Sequence, residues 1–289
     1  MAALGGAPVL SMAQAFGGEE QGRAFRALEK ALWVWKLDWN SIKELRAFAD
    51  HHGIRTLFVS LPAGIRGRML AGDRGLVDSI RMLADGGAAI WLLTGDPAWI
   101  EQPTRLPMAL EDLLKLHERL GLFSGLHLDL EPHAHARWRS APDSRPKLLE
   151  AFVEFLATVK ARVPGFPIDA AISPVLTQYR LSSGENALQG VARYLNSLSI
   201  MAYRRTAAAT VNWAAPTINE LKSTKVTWRL GALVHESREG DIGFFQVPLP
   251  GFQSEMLELD RLARAQPNGH SYRGLVFEDY HGLRQLIGI

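Results

Sequence analysis

Hydrophobic and polar positions follow two periods that take turns along the chain. Short runs rich in β-branched, aromatic and leucine residues are separated by longer stretches in which apolar residues recur every three or four positions. The short runs predict strands, and the longer stretches predict amphipathic helices. The predicted strands lie at residues 31–38, 54–61, 88–94, 125–131, 167–173, 197–203, 228–236 and 272–278.

The predicted helices fall between these strands, and several end at a glycine, as at Gly53 and Gly121. They lie at residues 41–52, 76–85, 108–120, 146–163, 187–195, 217–224, 254–265 and 282–287. About eight strands alternating with helices over roughly 250 residues predict a single (β/α)₈ barrel, the TIM barrel of the α/β class. An open doubly wound sheet is the rival, but no glycine-rich turn follows the first predicted strand. We expect an N-terminal segment at residues 1–25 and the barrel at residues 26–289.

Composition and charge argue against several classes of protein function. Hydrophobic residues make up 47% of the 289 positions and charged residues 21%, which is typical of a globular protein. The net charge of +2 argues against a nucleic-acid partner, and no apolar run reaches the roughly 20 residues of a membrane span. With no cysteine, thiol catalysis, disulfides and thiolate metal sites are excluded. No P-loop and no Gly-x-Ser-x-Gly sequence occurs, and we expect no cofactor.

The first 18 residues are small and apolar and resemble the tail of a signal peptide. Residues 12–15, Met-Ala-Gln-Ala, would supply a cleavage site, although a basic segment before them is missing. We therefore expect export to the periplasm or the cell exterior, with a cytoplasmic protein as the alternative.

Polar residues at the carboxyl ends of the predicted strands are the candidate site, because the active sites of such barrels lie at that face. Acidic residues predominate there, which suits acid–base chemistry on a neutral or weakly polar substrate. The candidates at these ends are Asp38, Asp96, Asp129, Glu131, Tyr203, Arg204, Glu236 and Glu278.

The fourth predicted strand alternates leucine with ionisable residues from position 126 to position 131. The leucines would face the helix layer, so His127, Asp129 and Glu131 point into the barrel. Two residues rise about 6.6 Å along a strand, and Asp129 and Glu131 can therefore interact. Two close carboxyls cannot ionise independently, so the pKa of one rises and that group can act as an acid near neutral pH.

Residues 123–131 resemble the fourth-strand motif of chitinase-type glycoside hydrolases, family eighteen. The resemblance implies that Glu131 is the general acid and that Asp129 orients the N-acetyl group of the substrate. It extends to Met201-Ala-Tyr203 on the sixth strand, and it implies that Tyr203 holds that group. On the eighth strand, Phe277 is the nearest counterpart of the aromatic residue that forms the floor of the family's sugar site.

The chain also departs from the family pattern at three positions. Ser124 and His127 replace the first two acidic residues of the motif, and Arg204 stands where the family has an aspartate. These changes permit an anionic or differently substituted glycan in place of chitin.

Two other interpretations remain open. Glu131 and Glu236 would match the acid/base and the nucleophile of retaining clan-A glycosidases, whose carboxyls lie about 5–5.5 Å apart. That clan has an asparagine where this chain has Leu130. Alternatively, the barrel binds glycans without cleaving them.

Aromatic and metal-ligating residues complete the list of candidates. Trp99 follows Asp96 in a loop and is the best candidate for stacking on a sugar ring. His133 and His135 are of metal-ligand type, but Pro132 interrupts the alternation and we expect no metal. The expected partner is an oligosaccharide or polysaccharide substrate.

Overall fold

The computed structural model describes residues 12–237, 240 and 242–288, with side chains described from residue 18 onward. In this part of the chain, eight parallel strands form a closed barrel in which each strand pairs with the next and the last pairs with the first. This confirms the predicted fold. The strands are β1 (Lys30–Val34), β2 (Ile54–Ser60), β3 (Ala89–Thr94), β4 (Gly125–Leu128), β5 (Ile168–Ile172), β6 (Ser197–Ile200), β7 (Thr227–Leu233) and β8 (Tyr272–Glu278).

Helices cover the outside of the barrel. They are α1 (Met12–Ala27), α2 (Ile42–His52), α3 (Ala63–Leu70), α4 (Arg74–Ala84), α5 (Met108–Leu120), α6 (Ala136–Ser140), α7 (Arg145–Arg162), α8 (Ala187–Ala192), α9 (Ala207–Glu220), α10 (Leu249–Arg264) and α11 (Tyr280–Leu286). Within the described ranges, no helix is both long enough and apolar enough to span a membrane.

Four strands are shorter at their carboxyl ends than predicted. β1, β4, β6 and β7 leave the sheet three or four residues before the predicted ends. At β4, the amide of Asp129 still donates to Thr94 O at 2.9 Å, and the chain then turns into a short 3₁₀ helix at Pro132–Ala134. The polar ends of these strands therefore form loops over the mouth of the barrel.

Four helical segments were not predicted: α1, α3, α6 and the first half of α9. The α9 helix contains Pro216, which the sequence pattern favours as a boundary. In α1, Gln21 donates to Pro250 O at 2.7 Å, and Phe25 packs edge-on against Phe252 of α10. Helix α1 thus runs across the predicted boundary between residues 25 and 26. Residues 1–11 of the expected signal-peptide remnant lie outside the described residues.

Apolar side chains form two separate cores. The larger core lies between the barrel and the helices, and it includes the leucines at 126, 128 and 130. The smaller core fills the inside of the barrel and includes Trp33, Phe58, Leu93 and Val276. The ring of His127 stacks on Phe58 with centroids 4.0 Å apart, so the ionisable face of β4 points inward, as the alternation predicts.

Candidate active site

A buried polar cluster lies inside the barrel, one inward-facing position below Asp129. The indole Nε1 of Trp33 donates to His127 Nε2 at 2.8 Å. Because an indole N–H can only donate, Nε2 of His127 has no proton. The other ring nitrogen, Nδ1, lies 2.7 Å from Asp169 Oδ1.

Asp169 on β5 anchors this cluster. Its carboxylate accepts hydrogen bonds from Ser197 and Ser199 on β6, and Arg229 Nη1 lies 3.5 Å from Oδ2. Burial alone would raise the pKa of Asp169, but the hydrogen bond to His127 and the charge of Arg229 outweigh burial and lower it. Asp169 therefore stays ionised inside the barrel.

His127 itself is fully buried and both of its ring nitrogens face protein groups. It cannot contact a substrate at the mouth. The prediction that His127 binds substrate is therefore corrected: the side chain supports the strand that carries Asp129.

Asp129 lies above this cluster, at the mouth. Its Oδ1 is buried and has no hydrogen-bond partner among the described residues. Burial raises the pKa of Asp129 well above its ordinary value, and the nearby carboxyls of Glu131 and Glu278 raise it further. Asp129 is thus the member of the predicted carboxyl pair whose charged form is disfavoured.

Glu131 is the more accessible carboxyl of the pair, with 28% of its side chain exposed. Its Oε2 lies 2.9 Å from Nε2 of His133 in the following 3₁₀ turn. Glu131 therefore lies where a bound substrate can reach it, while Asp129 lies below it on the same strand extension.

Tyr203 and Glu278 close the opposite side of the mouth. The Tyr203 hydroxyl donates to Glu278 Oε2. Burial raises the pKa of Glu278, and the hydrogen bond from Tyr203 offsets part of this rise. Burial, with the charge of Glu278 next, also raises the pKa of Tyr203 well above its ordinary value. The hydroxyl therefore stays protonated as a donor.

A close approach of backbone positions the Tyr203 ring. A Cβ atom added at Gly231 of β7 would lie 2.9 Å from Cε1 of Tyr203. On the other side of the mouth, a Cβ at Gly95 would lie 1.8 Å from the carbonyl oxygen of Asp129. Two glycines therefore make room for the two sides of the site.

Three predicted contact residues have local roles. Asp38 accepts from the amide of Asn40 at 2.9 Å, and Asp96 accepts from the amide of Ala98 at 2.9 Å, so each carboxylate stabilises its own turn. The ring of Trp99 packs against Phe155 of α7 with centroids 6.2 Å apart. Trp99 is partly buried against the outer core, and its role in stacking on a sugar stays a prediction.

Arg204 and Phe277 also differ from expectation. The guanidinium of Arg204 donates to the carbonyl of Tyr203 at 2.6 Å and lies 4.7 Å from the ring of Trp213, so it turns away from the carboxyls. Phe277 is fully buried and packs against Phe25 and Phe252 in the outer core. It therefore cannot form the floor of a sugar site, and its neighbour Glu278 faces the mouth instead.

Glu236 lies in an exposed loop three residues beyond the end of β7. Its carbonyl oxygen lies 2.8 Å from Nδ1 of His235. The imidazole of His235 interacts electrostatically with Glu278 and acts against the rise in its pKa. His235, which ends the seventh predicted strand, therefore belongs to the site beside Glu278.

Sequence reasoning also missed the polar cluster below the mouth. Asp169 on β5 and Ser197 and Ser199 on β6 are polar residues at inward-facing positions, and Arg229 is their counterpart on β7. Inward-facing polar residues therefore occur on three further strands as well as on β4. Among the described residues, no group of three or more His, Asp or Glu side chains could hold a metal ion.

Comparisons with solved structures concern the fold. A family-eighteen chitinase from Pseudoalteromonas aurantia superposes with a TM-score of 0.61 at 13% identity, covering 89% of this chain and 96% of that one. A family-eighteen chitinase from Cycas revoluta in complex with (GlcNAc)₃ gives 0.51 at 13% identity, covering 89% and 96%. A putative deoxyribose-phosphate aldolase from Toxoplasma gondii ME49 gives 0.54 at 12%, covering 95% of each chain.

The chain therefore has the barrel fold of family-eighteen chitinases, a fold that the aldolase shares. At these identities the likeness establishes the fold alone. No protein-family model and no curated protein matches the sequence.

Proposed function

We propose that the protein is a glycoside hydrolase in which Glu131 donates a proton to the glycosidic oxygen. The observation that carries this proposal is the pair Asp129 and Glu131, which lies at the catalytic face of the barrel opposite Tyr203 and Glu278. The likeness in fold to chitinases, one of them holding (GlcNAc)₃, supports a carbohydrate substrate.

The residues divide the chemistry between them. Glu131 is accessible and acts on the leaving group, whereas Asp129 and Tyr203 position the group that stabilises the developing oxocarbenium ion. Because its pKa is raised, Asp129 can take up a proton and return one to Glu131 after cleavage. General acid catalysis of this kind contributes about 10²–10⁴-fold to the rate.

Two alternative functions would give different experimental results. Clan-A chemistry would use Glu236 as the nucleophile, and a binding barrel would hold glycans without cleaving them. The exposed position of Glu236 and the coupling of Glu278 to both Asp129 and Tyr203 favour the chitinase-like arrangement. Export of the protein stays a prediction, as does the division at residue 25.

The first test is a panel of fluorogenic glycosides with wild-type protein, Glu131→Gln and Glu236→Gln. We expect Glu131→Gln to lower turnover by about 10²-fold or more, because it keeps the shape and removes the proton. Glu236→Gln should change turnover little. Equal damage from both variants would assign clan-A chemistry instead.

Two results would contradict the proposal. Full activity of Glu131→Gln on any substrate that the wild type cleaves would exclude Glu131 as the acid. Binding on a glycan array without cleavage of any glycoside would assign the binding barrel.

A further inference from the structure

Three carboxyls meet at the mouth of the barrel, where a cationic partner would stabilise their charged forms. Asp129, Glu131 and Glu278 interact electrostatically across it. Among the described residues, neither a lysine nor an arginine forms an ion pair with any of these three carboxyls. The nearby basic groups are the imidazoles of His133 and His235.

Two arginines, one after β6 and one on β7, make their contacts with other groups. Arg204 binds the carbonyl of Tyr203 and covers Trp213, and Arg229 lies deeper in the barrel beside Asp169. An anionic sugar, which Arg204 favours at the level of the sequence, would therefore meet three carboxyls and not the guanidinium of Arg204 or Arg229. Like charges in such a site repel the ligand.

The carboxyls also lack hydrogen-bond donors. Asp129 Oδ1 is buried with no partner, and Glu278 receives one hydrogen bond, from Tyr203 on Oε2. A buried acceptor without a donor is costly, so these oxygens favour a ligand that supplies several N–H groups and a positive charge. Among the described residues these carboxyls are not grouped as a metal site, and an organic cation supplies both the charge and the N–H groups.

We propose that the site accepts a glycan that carries free amino groups, with a sugar ammonium seated between Glu278 and Asp129. A primary ammonium is compact and provides three donors as well as the missing charge. An N-acetylated amino sugar offers one N–H and no charge, and a neutral hexose offers only hydroxyls. The inference rests on the proposed function, since it names the substrate class of the same site.

The test compares matched oligosaccharides that differ only at nitrogen. Hexamers of glucosamine and of N-acetylglucosamine, each in β-1,4 and β-1,6 linkage, are titrated calorimetrically into Glu131→Gln protein, which holds them without turnover. We expect the aminated hexamer of one linkage to bind about tenfold more tightly or better, the scale of one charge-assisted hydrogen bond. The preference should shrink at high salt.

A second substitution identifies the residue responsible. Adding Glu278→Gln keeps an acceptor for the Tyr203 hydroxyl and removes the charge, so the preference for the aminated hexamer should fall by about tenfold. Glu154→Gln, on the exposed face of α7, is the matched control and should leave the preference unchanged. Circular dichroism of each variant verifies that it is folded.

Several results would overturn the inference: no binding of either aminated hexamer, tighter binding of the N-acetylated one, or a preference that survives Glu278→Gln. Failure of the proposed function gives a different pattern, namely cleavage by Glu131→Gln or no cleavage by the wild type. Turnover reports on the function, and the ratio of the two affinities reports on the amino group.

Discussion

At the scale of single residues, Asp129 is held in a position that favours chemistry over stability. Its carboxyl is buried without a hydrogen-bond partner and lies near two others. Strain of this electrostatic kind is typical of active sites, where groups with perturbed pKa values collect. An acid whose pKa rises on folding stabilises the native state fully below its unfolded pKa of about 3.8, and this contribution is lost as the pH rises toward the folded pKa.

The sign of this linkage predicts the effect of Asp129→Asn. The variant has no proton to lose, so its free energy of unfolding should exceed that of the wild type at pH 7, by about 1 kcal/mol or more. The difference should shrink toward zero as the pH falls to about 4. Urea denaturation between pH 4 and pH 8 measures it, with Asp143→Asn on an exposed turn as the control. Parallel curves for wild type and Asp129→Asn would contradict the assigned rise in pKa.

At the scale of elements, the strand ends and not the strands themselves make the site. β4 and β6 leave the sheet just before Asp129 and Met201, and their extensions are held by close backbone contacts with neighbouring strands. Gly231 is the clearest of these contacts, because the ring of Tyr203 lies directly over it. The direction of the Tyr203 hydroxyl therefore depends on a residue of another strand.

Gly231→Ala should displace the Tyr203 ring, because the new methyl group would lie 2.9 Å from Cε1. Displacement of about 1 Å is enough to lower turnover by about 10²-fold, while overpacking should cost only about 1–3 kcal/mol of stability. Gly67→Ala in α3, where nothing lies within 4 Å, is the matched control and should keep full activity. Steady-state kinetics and thermal unfolding of both variants test this. Unchanged kinetics in Gly231→Ala would show that Tyr203 has no positional role.

β4 and β8 show how far the sequence could predict these elements. Leucines alternate with ionisable residues on β4, so the sequence predicts which face of this strand points inward. β8 is apolar on both faces, as strands inside such barrels are, and the pattern could not tell whether Phe277 or Glu278 faces inward. The sequence also does not predict where the strands end. Their ends depend on contacts between segments that are distant in sequence, such as the contact of Gly95 with Asp129.

At the scale of the whole molecule, the barrel has a charged interior beneath its site. Asp169 joins β5 to its neighbours through His127, Ser199 and Arg229. Removing one member of a buried charged cluster leaves the others without compensation, and this costs more than the net stabilisation by the intact cluster.

Asp169→Ala should therefore destabilise the fold by about 3–5 kcal/mol, because Arg229 and His127 remain inside the barrel. Ser199→Ala removes only one hydrogen bond to Asp169 and should cost about 1 kcal/mol. Chemical denaturation at pH 7 measures both. Since the pKa of Asp169 is lowered on folding, its contribution is present above the unfolded pKa and is lost as the pH falls. A loss below 1 kcal/mol in Asp169→Ala would show that the cluster contributes little.

The hydrogen bond from Trp33 to His127 also hinders proton transfer through the floor of the site. The indole N–H of Trp33 is hydrogen-bonded to Nε2 of His127, and Nδ1 of His127 faces the ionised Asp169. Neither nitrogen of the imidazole is therefore free to pass a proton to groups below the site. Asp129 therefore exchanges protons through the mouth of the barrel and not through its floor.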